Sequence, residues 1–236
     1  MAATFSKLFR APCGVPNALQ YTDNGQLWLA DQITDRLALV NVEEPGDYGV
    51  TFWQREIPSD SSNTSGMAEG EGTLWVAANG PGALWRPVRS SDAPQGGADI
   101  LKVDPDTGHT LLRRPVPGGG GVHGVEYDHL DPGHLWITTL KQQTLSKVRI
   151  EDWSVQHEIP LPYVRAHGVV RTEQGVWVVH TAVRHVVHLN VDDGSEIERF
   201  TVPGDEPQPH GLSRFQDGSL IYCDATSGWV VEVTGW

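Results

Sequence analysis

Three histidines of this chain stand in one local setting: His123 in Val-His-Gly, His167 in Ala-His-Gly and His210 in Pro-His-Gly. A fourth, His180, ends an apolar run, as do the carboxylates Asp31 and Asp224. Imidazole and carboxylate together suit first-row divalent metals, and they also supply general acids and bases near neutral pH. The competing reading is structural, with His-Gly as a turn whose imidazole bonds a neighbouring backbone. Which of these holds depends on whether the histidines share one place, and that is set by the elements carrying them.

Those elements repeat. A turn followed by an apolar strand recurs as GQLWLAD at 25–31, GTLWVAA at 72–78, GHLWITT at 133–139, GVWVVH at 175–180 and GSLIYCD at 218–224. The anchors Trp28, Trp75, Trp136, Trp177 and Ile221 are 47, 61, 41 and 44 residues apart. The long interval carries a Pro/Gly/Ser-rich stretch at 81–97, which reads as a surface insertion. Before each anchor lies a short strand opened by a corner, and after it come two alternating strands. Four antiparallel strands at such a period are the signature of a β-propeller. The last unit stops after its third strand, while Thr4 to Phe9 forms an unassigned strand-like segment at the start of the chain. The expectation is an all-β, five-bladed β-propeller of four-stranded antiparallel blades, a single domain over 1–236, closed by the N-terminal strand joining the last blade.

Anchoring the units brings five corner residues into register: Asn17, Ser65, His123, His167 and His210. The glycine after most of them is expected to permit a backbone conformation that turns the preceding side chain inward. Three residues past each anchor lies a second ring, Asp31, Ala78, Thr139, His180 and Asp224. Blades four, five and one are neighbours. His167, His180, His210, Asp224 and Asp31 are therefore the expected ligands of one divalent metal, whether Mg, Mn, Fe, Zn or Ni. His210, His167 and His123 are the expected catalytic groups. Asn17, Tyr163, Arg165 and Gln208 are expected to line the channel mouth and touch substrate. His109, His129, His134, His157, His185 and His188 fall in outer strands or loops and read as solvated or rim residues. The tryptophans occur once per blade and read as core.

Composition narrows the partners. The formal net charge is −13 and the longest Lys/Arg cluster is Arg113-Arg114, so a nucleic-acid partner is not expected. No apolar run approaches the length of a membrane span, and no signal-peptide core opens the chain. Two cysteines make no disulfide framework. A cytoplasmic protein, monomeric or weakly self-associating, acting on a small molecule is the expectation. Nucleophile elbows, zincin motifs and phosphate loops are absent, and the glycine run 118–121 precedes a strand, not a helix.

The units Pro209-His210-Gly211-Leu212 with Gly218-Ser219-Leu220-Ile221-Tyr222-Cys223-Asp224, and Ala166-His167-Gly168-Val169 with Val176-Trp177-Val178-Val179-His180, resemble blades of the virginiamycin B lyase (streptogramin lyase) family. Gluconolactonase-like and NHL propellers share the motifs in weaker form. The resemblance implies a magnesium-dependent elimination in a seven-bladed ring, with a corner histidine as base and a nearby acid on the metal. By matching corners it makes His210 the base or a ligand, and Asp224 the metal-binding acid. Three departures stand out: Gln208 replaces a glutamate, His180 replaces a carboxylate, and the blades number five. The function expected is thus a metal-assisted lyase or isomerase with histidine as general base. A lactonase-like hydrolase or a non-catalytic binding propeller are the alternatives.

Overall fold

Twenty strands, β1 to β20 in chain order, make five four-stranded antiparallel sheets in the computed structural model, which describes residues 3–42, 49, 51 and 53–236. Blade one is β2 (Pro16–Tyr21), β3 (Leu27–Asp31), β4 (Leu37–Val40) and β5 (Trp53–Ile57). Blade two is β6 (Thr64–Gly70), β7 (Thr73–Asn79), β8 (Ala98–Val103) and β9 (Thr110–Pro115). Blade three is β10 (Val122–Tyr127), β11 (His134–Thr139), β12 (Thr144–Arg149) and β13 (Val155–Pro160). Blade four is β14 (Ala166–Thr172), β15 (Gly175–His180), β16 (His185–Leu189) and β17 (Glu196–Thr201). Blade five takes β18 (Leu212–Arg214), β19 (Leu220–Cys223) and β20 (Trp229–Thr234), and β1 (Thr4–Arg10) completes it as the outermost strand, paired antiparallel with β20. The closure expected from the sequence is the one observed.

The ring is held by its blade interfaces. The buried apolar residues fall into five clusters, one between each pair of neighbouring blades. Strand alternation explains this. On β3, Trp28 and Ala30 pack towards blade two, while Leu27 and Leu29 pack towards blade five. Trp75, Trp136 and Trp177 likewise face the next blade, and Ile221 fills that role in blade five. Each tryptophan is also covered within its blade: Lys102 lies 5.1 Å over Trp75, Lys147 5.7 Å over Trp136 and Arg55 5.4 Å over Trp28. In blade four, His188 occupies the position of those lysines and stacks 4.4 Å from Trp177 at 8°. His188 is therefore buried packing, not the solvated residue expected.

The glycines of the corners have a different reason from the one expected. None of Gly66, Gly124, Gly168 and Gly211 has positive φ. What they share is contact. A Cβ on Gly124 would lie 2.0 Å from the carbonyl oxygen of His167, one on Gly168 2.1 Å from the Leu212 nitrogen, and one on Gly211 2.8 Å from the Ala18 Cα. Innermost strands of successive blades touch backbone to backbone there, and the axis between them leaves no room for a water molecule. The side chain before the glycine is aimed by a separate device, a register shift at the start of each of β2, β6, β10 and β14.

Because every innermost strand begins at its corner, all five corners lie at one end of the ring. The insertion at 81–97 joins β7 to β8 at that same end. Arg86 and Arg89 fasten it by binding the buried Asp35 of blade one and Asp92 of the insertion itself, with Arg86 Nη2 2.6 Å from Asp35 and 2.7 Å from Asp92. Leu84, Trp85 and Val88 remain exposed on it.

At the opposite end of β10, Glu126 is buried and accepts a 3.0 Å hydrogen bond from the Arg171 backbone across the blade interface. Ser213 does the same for Tyr21 at 2.9 Å between blades five and one. Burial pushes the Glu126 carboxyl up to about 8, so it is a neutral acid at pH 7.

Two outcomes follow from these contacts. Gly124→Ala and Gly168→Ala should each lower stability by roughly 3 kcal/mol or more in urea titrations, against about 0.5–1 kcal/mol for Ala18→Gly. For Glu126, the folded state keeps a proton that the unfolded chain releases between about 4.5 and 8, so its contribution to stability declines as pH rises through that window. Glu126→Gln should match the wild type at pH 4.5 and exceed it at pH 8.5, by on the order of 1–3 kcal/mol. Parallel stability curves at the two pH values would refute the assignment.

Candidate functional site

The corner residues divide into two groups. In blade one, the Asn17 amide donates to the carbonyl of Thr64 at 3.2 Å, and in blade two the Ser65 hydroxyl donates to the carbonyl of Val122 at 2.8 Å. Each ties its blade to the next at the axis. Asn17, expected to touch substrate, is thus a structural tie. In blades three and four the same position holds His123 and His167, and neither continues the pattern. His123 leaves a buried Nδ1 unpaired, and His167 leaves both ring nitrogens buried and unpaired.

The three corner imidazoles converge. The rings of His123 and His167 are 4.1 Å apart at 39°, and those of His167 and His210 are 5.1 Å apart at 83°. His167 is the enclosed middle member, only 2% exposed, and His123 is the most accessible of the three. His210 is oriented from behind. Its Nδ1 lies 3.2 Å from the Gln208 carbonyl, 3.4 Å from the Ala225 backbone nitrogen and 3.9 Å from Asp224 Oδ1, and among the described residues Nε2 has no hydrogen-bond partner. The loop carrying it is strapped down by Arg184, which donates to the carbonyls of Val202, Pro203, Glu206 and Pro207. The side chain of Gln208 is committed to the Thr181 carbonyl at 3.0 Å, so Gln208 positions His210 through its backbone.

All three imidazoles are neutral at pH 7. Burial holds His123 down to about 4, helped by the positive fields of Arg165 and His210. Burial also holds His167 well below the usual range, with His123, His210 and Arg165 adding to it. For His210 burial is again the largest cause, opposed by the Gln208 carbonyl and Asp224 and reinforced by Arg165 and Arg184. An unpaired buried polar group costs about 1–3 kcal/mol, so a cluster of them calls for a partner or a task.

The expected metal set is not brought together. Asp31 accepts from the backbone of Gly14, Val15 and Ile33 and from the Thr34 hydroxyl, closing its own turn. Asp224 accepts from Thr226 and Ser227 in the equivalent turn of blade five. Both follow the rule that an Asp side chain organises the backbone two and three residues on. His180 sits apart from the corner histidines, buried edge-on to the Tyr163 ring at 5.3 Å, and burial holds it down to about 4. Among the described residues no three His, Cys, Asp or Glu side chains gather so as to hold one ion. The donors therefore do not fit a shared divalent metal.

Two of the expected mouth residues remain. Tyr163 lines a cavity of about 210 Å³ between blades three and four, and its hydroxyl is held by Arg199. Arg165 lines the same cavity, adopts a left-handed backbone with φ +55°, and acts on all three corner imidazoles. The three corner histidines expected as catalytic groups are brought together, whereas His180, expected among the metal ligands, packs against Tyr163.

No protein-family model matches the chain, and no curated protein matches it. Solved structures do. It is similar to a glutaminyl cyclase of Myxococcus xanthus, with a TM-score of 0.69, 11% identity, and coverage of 99% of this chain and 96% of that one. It is also similar to a streptogramin B lyase, at TM-score 0.55 and 12% identity over 98% and 97% of the two chains. A virginiamycin B lyase of Staphylococcus aureus matches at TM-score 0.50 and 15% identity, covering 94% of this chain and 66% of that one. At such identities the likeness is one of fold. The class defined is a five-bladed propeller with propeller enzymes among its structural neighbours, carrying a one-sided histidine cluster at the axis.

His123 and His180 should stay neutral in imidazole NMR titrations until pH nears 4. A folded pKa below the unfolded value of 6.5 means that the unfolded chain binds more protons between about 4 and 6.5. These groups therefore withdraw stability as pH falls through that window, and His123→Gln should flatten the acid limb of the stability curve. Titration of either ring near 6.5 would contradict the burial argument.

Proposed function

We propose that the chain is a small-molecule enzyme that works by imidazole acid–base chemistry at the corner end of the axis. The observation that carries this is the change of use at one repeated position. Asn17 and Ser65 tie blades together there, whereas His123 and His167 abandon the tie and leave buried nitrogens unpaired. Blades three and four close without it, so the imidazoles are retained for something other than closure.

The mechanism divides among the three rings. His210, with Nδ1 near the Gln208 carbonyl and Nε2 unbonded among the described residues, is placed to take a proton from a bound molecule. His123, at the accessible edge, is placed to donate an N–H hydrogen bond to a leaving group or product, and the His210 imidazolium formed by the abstraction returns the proton. His167 lies between them and fixes both rings by contact. A neutral imidazole can accept a proton at pH 7 without first losing one, and the imidazolium so formed is the acid that gives it back. Proton abstraction with elimination or isomerisation needs this pairing, and so does acyl transfer, of which glutaminyl cyclisation is one instance. The neighbours named cyclase and lyase support this chemical class. The metal-assisted form is not favoured, because Asp31 and Asp224 are bonded within their own turns and no three donors gather among the described residues.

Turnover should be sought with the full chain in EDTA, over a panel of β-substituted carbonyl compounds, lactones and glutaminyl substrates. Activity found there should survive the chelator and fall roughly 10²- to 10⁴-fold in His210→Gln. Gln208→Ala keeps the backbone carbonyl behind His210, so it should retain most activity. Unchanged activity in His210→Gln, or dependence on added metal, would overturn the proposal.

A further inference from the structure

The connection from β13 to β14, Leu161 to Arg165, carries one charge after a run of mostly apolar residues. Its backbone is pinned: the Arg165 carbonyl accepts from Thr181 at 3.2 Å, and Arg165 itself is left-handed. A non-glycine residue in that conformation is held there by its surroundings. The guanidinium, by contrast, has no hydrogen bond or ion pair with the described residues. Arg165 is exposed, so the guanidinium is open to a ligand from solvent. Arg86 and Arg89 are bound to carboxylates, Arg113 to Asp99, and Arg184 to four carbonyls.

Arg165 stands between two things. On one side are the corner imidazoles, all three of which lie within its field. On the other is the cavity of about 210 Å³, whose walls are Leu140, Leu161, Tyr163 and Val164. Two polar groups of that lining are already bonded, with the Gln143 amide nitrogen donating to the Leu161 carbonyl and the Tyr163 hydroxyl held by Arg199. The cavity thus offers apolar surface and a single unpaired fork of donors at its mouth.

We propose that the ligand of this site is a small carboxylic acid, its carboxylate bound by Arg165 and its apolar substituent lying in the cavity between blades three and four. The substrate-class assignment rests on the acid–base reading, while the binding geometry does not. Guanidinium matches carboxylate with paired, parallel hydrogen bonds, which a neutral amide cannot reproduce. Binding has a consequence for the imidazoles. A carboxylate on Arg165 cancels part of the positive field acting on His123 and His210. The other groups facing those rings, namely each other, His167, Asp224 and Arg184, are unchanged. Both rings should then become more basic when the site is filled.

Calorimetry with acetate, butyrate and hexanoate, and with hexanamide as the neutral control, tests this on the full chain. Affinity should rise with chain length, and hexanoate should exceed hexanamide. Arg165→Gln should weaken hexanoate by roughly tenfold to a hundredfold and leave hexanamide unchanged. Arg165→Lys should retain part of the affinity. Val164→Ser should weaken hexanoate and spare acetate, since Val164 is an exposed wall residue whose replacement leaves the core intact. NMR should show the His123 titration move upward on hexanoate binding. Equal affinity for hexanoate and hexanamide, or an Arg165→Gln variant that binds hexanoate like the wild type, would overturn the proposal. His167→Gln separates the two readings. It should keep hexanoate binding while losing turnover; lost binding would argue against the Arg165 subsite, and retained turnover against the acid–base reading alone.

Discussion

Five innermost strands approach one another at the axis so closely that backbone meets backbone, and most of what this protein presents to a ligand follows from that. With five blades the ring is tight. A Cβ on Gly124 or Gly168 would stand about van der Waals overlap deep in the next strand, at 2.0 and 2.1 Å. The glycines close the axis beneath the corners, so no pore runs through the ring. The corner histidines lie above that closed axis, at the end of the ring where the insertion at 81–97 and the β13–β14 connection also lie.

Closure of the ring is shared between two kinds of contact, and the division explains where function can be placed. The apolar clusters between blades contribute at roughly 25 cal/mol per Å² of surface removed from water, and they are spread evenly around the ring. The polar ties at the axis are worth about 1 kcal/mol each. A ring so well supported by its interfaces can lose two polar ties without opening. Asn17 and Ser65 keep theirs, and His123 and His167 do not. The position most freely released from structural duty is also the position nearest the axis.

The repeat made the architecture legible. Anchors once per blade, alternation within strands, and an unpaired strand at one end together specify five sheets and their closure. The corner histidines were legible as a ring for the same reason, because equivalent positions in a cyclic repeat are equivalent in space. The second ring misled. Asp31 and Asp224 are equivalent to each other and to His180 by position, yet each carboxylate folds back on its own turn through Asp-x-x-Thr and Asp-x-x-Ser contacts. That signal was present in the sequence as a turn motif, and it outweighs periodic placement. Glu126 was not legible at all. Its burial arises from the approach of β14, and nothing in Val-Glu-Tyr distinguishes it from a solvated glutamate.

Arg165 shows how function and strain meet in this fold. The residue two before each corner glycine's neighbour has to turn the chain into the innermost strand, and in two blades it does so in a left-handed conformation, at Asn63 and at Arg165. Asn63 uses its side chain locally, donating to the Asn79 carbonyl at 2.7 Å, as suits an asparagine in that region. Arginine gains nothing there conformationally, and its guanidinium makes no hydrogen bond or ion pair among the described residues. Its charge acts outside the backbone. It depresses the basicity of three imidazoles that burial alone would already keep neutral, and it leaves the site positively biased within a strongly acidic protein. An anion arriving at Arg165 relieves that bias, so the groups that handle protons become stronger bases only once the site is occupied.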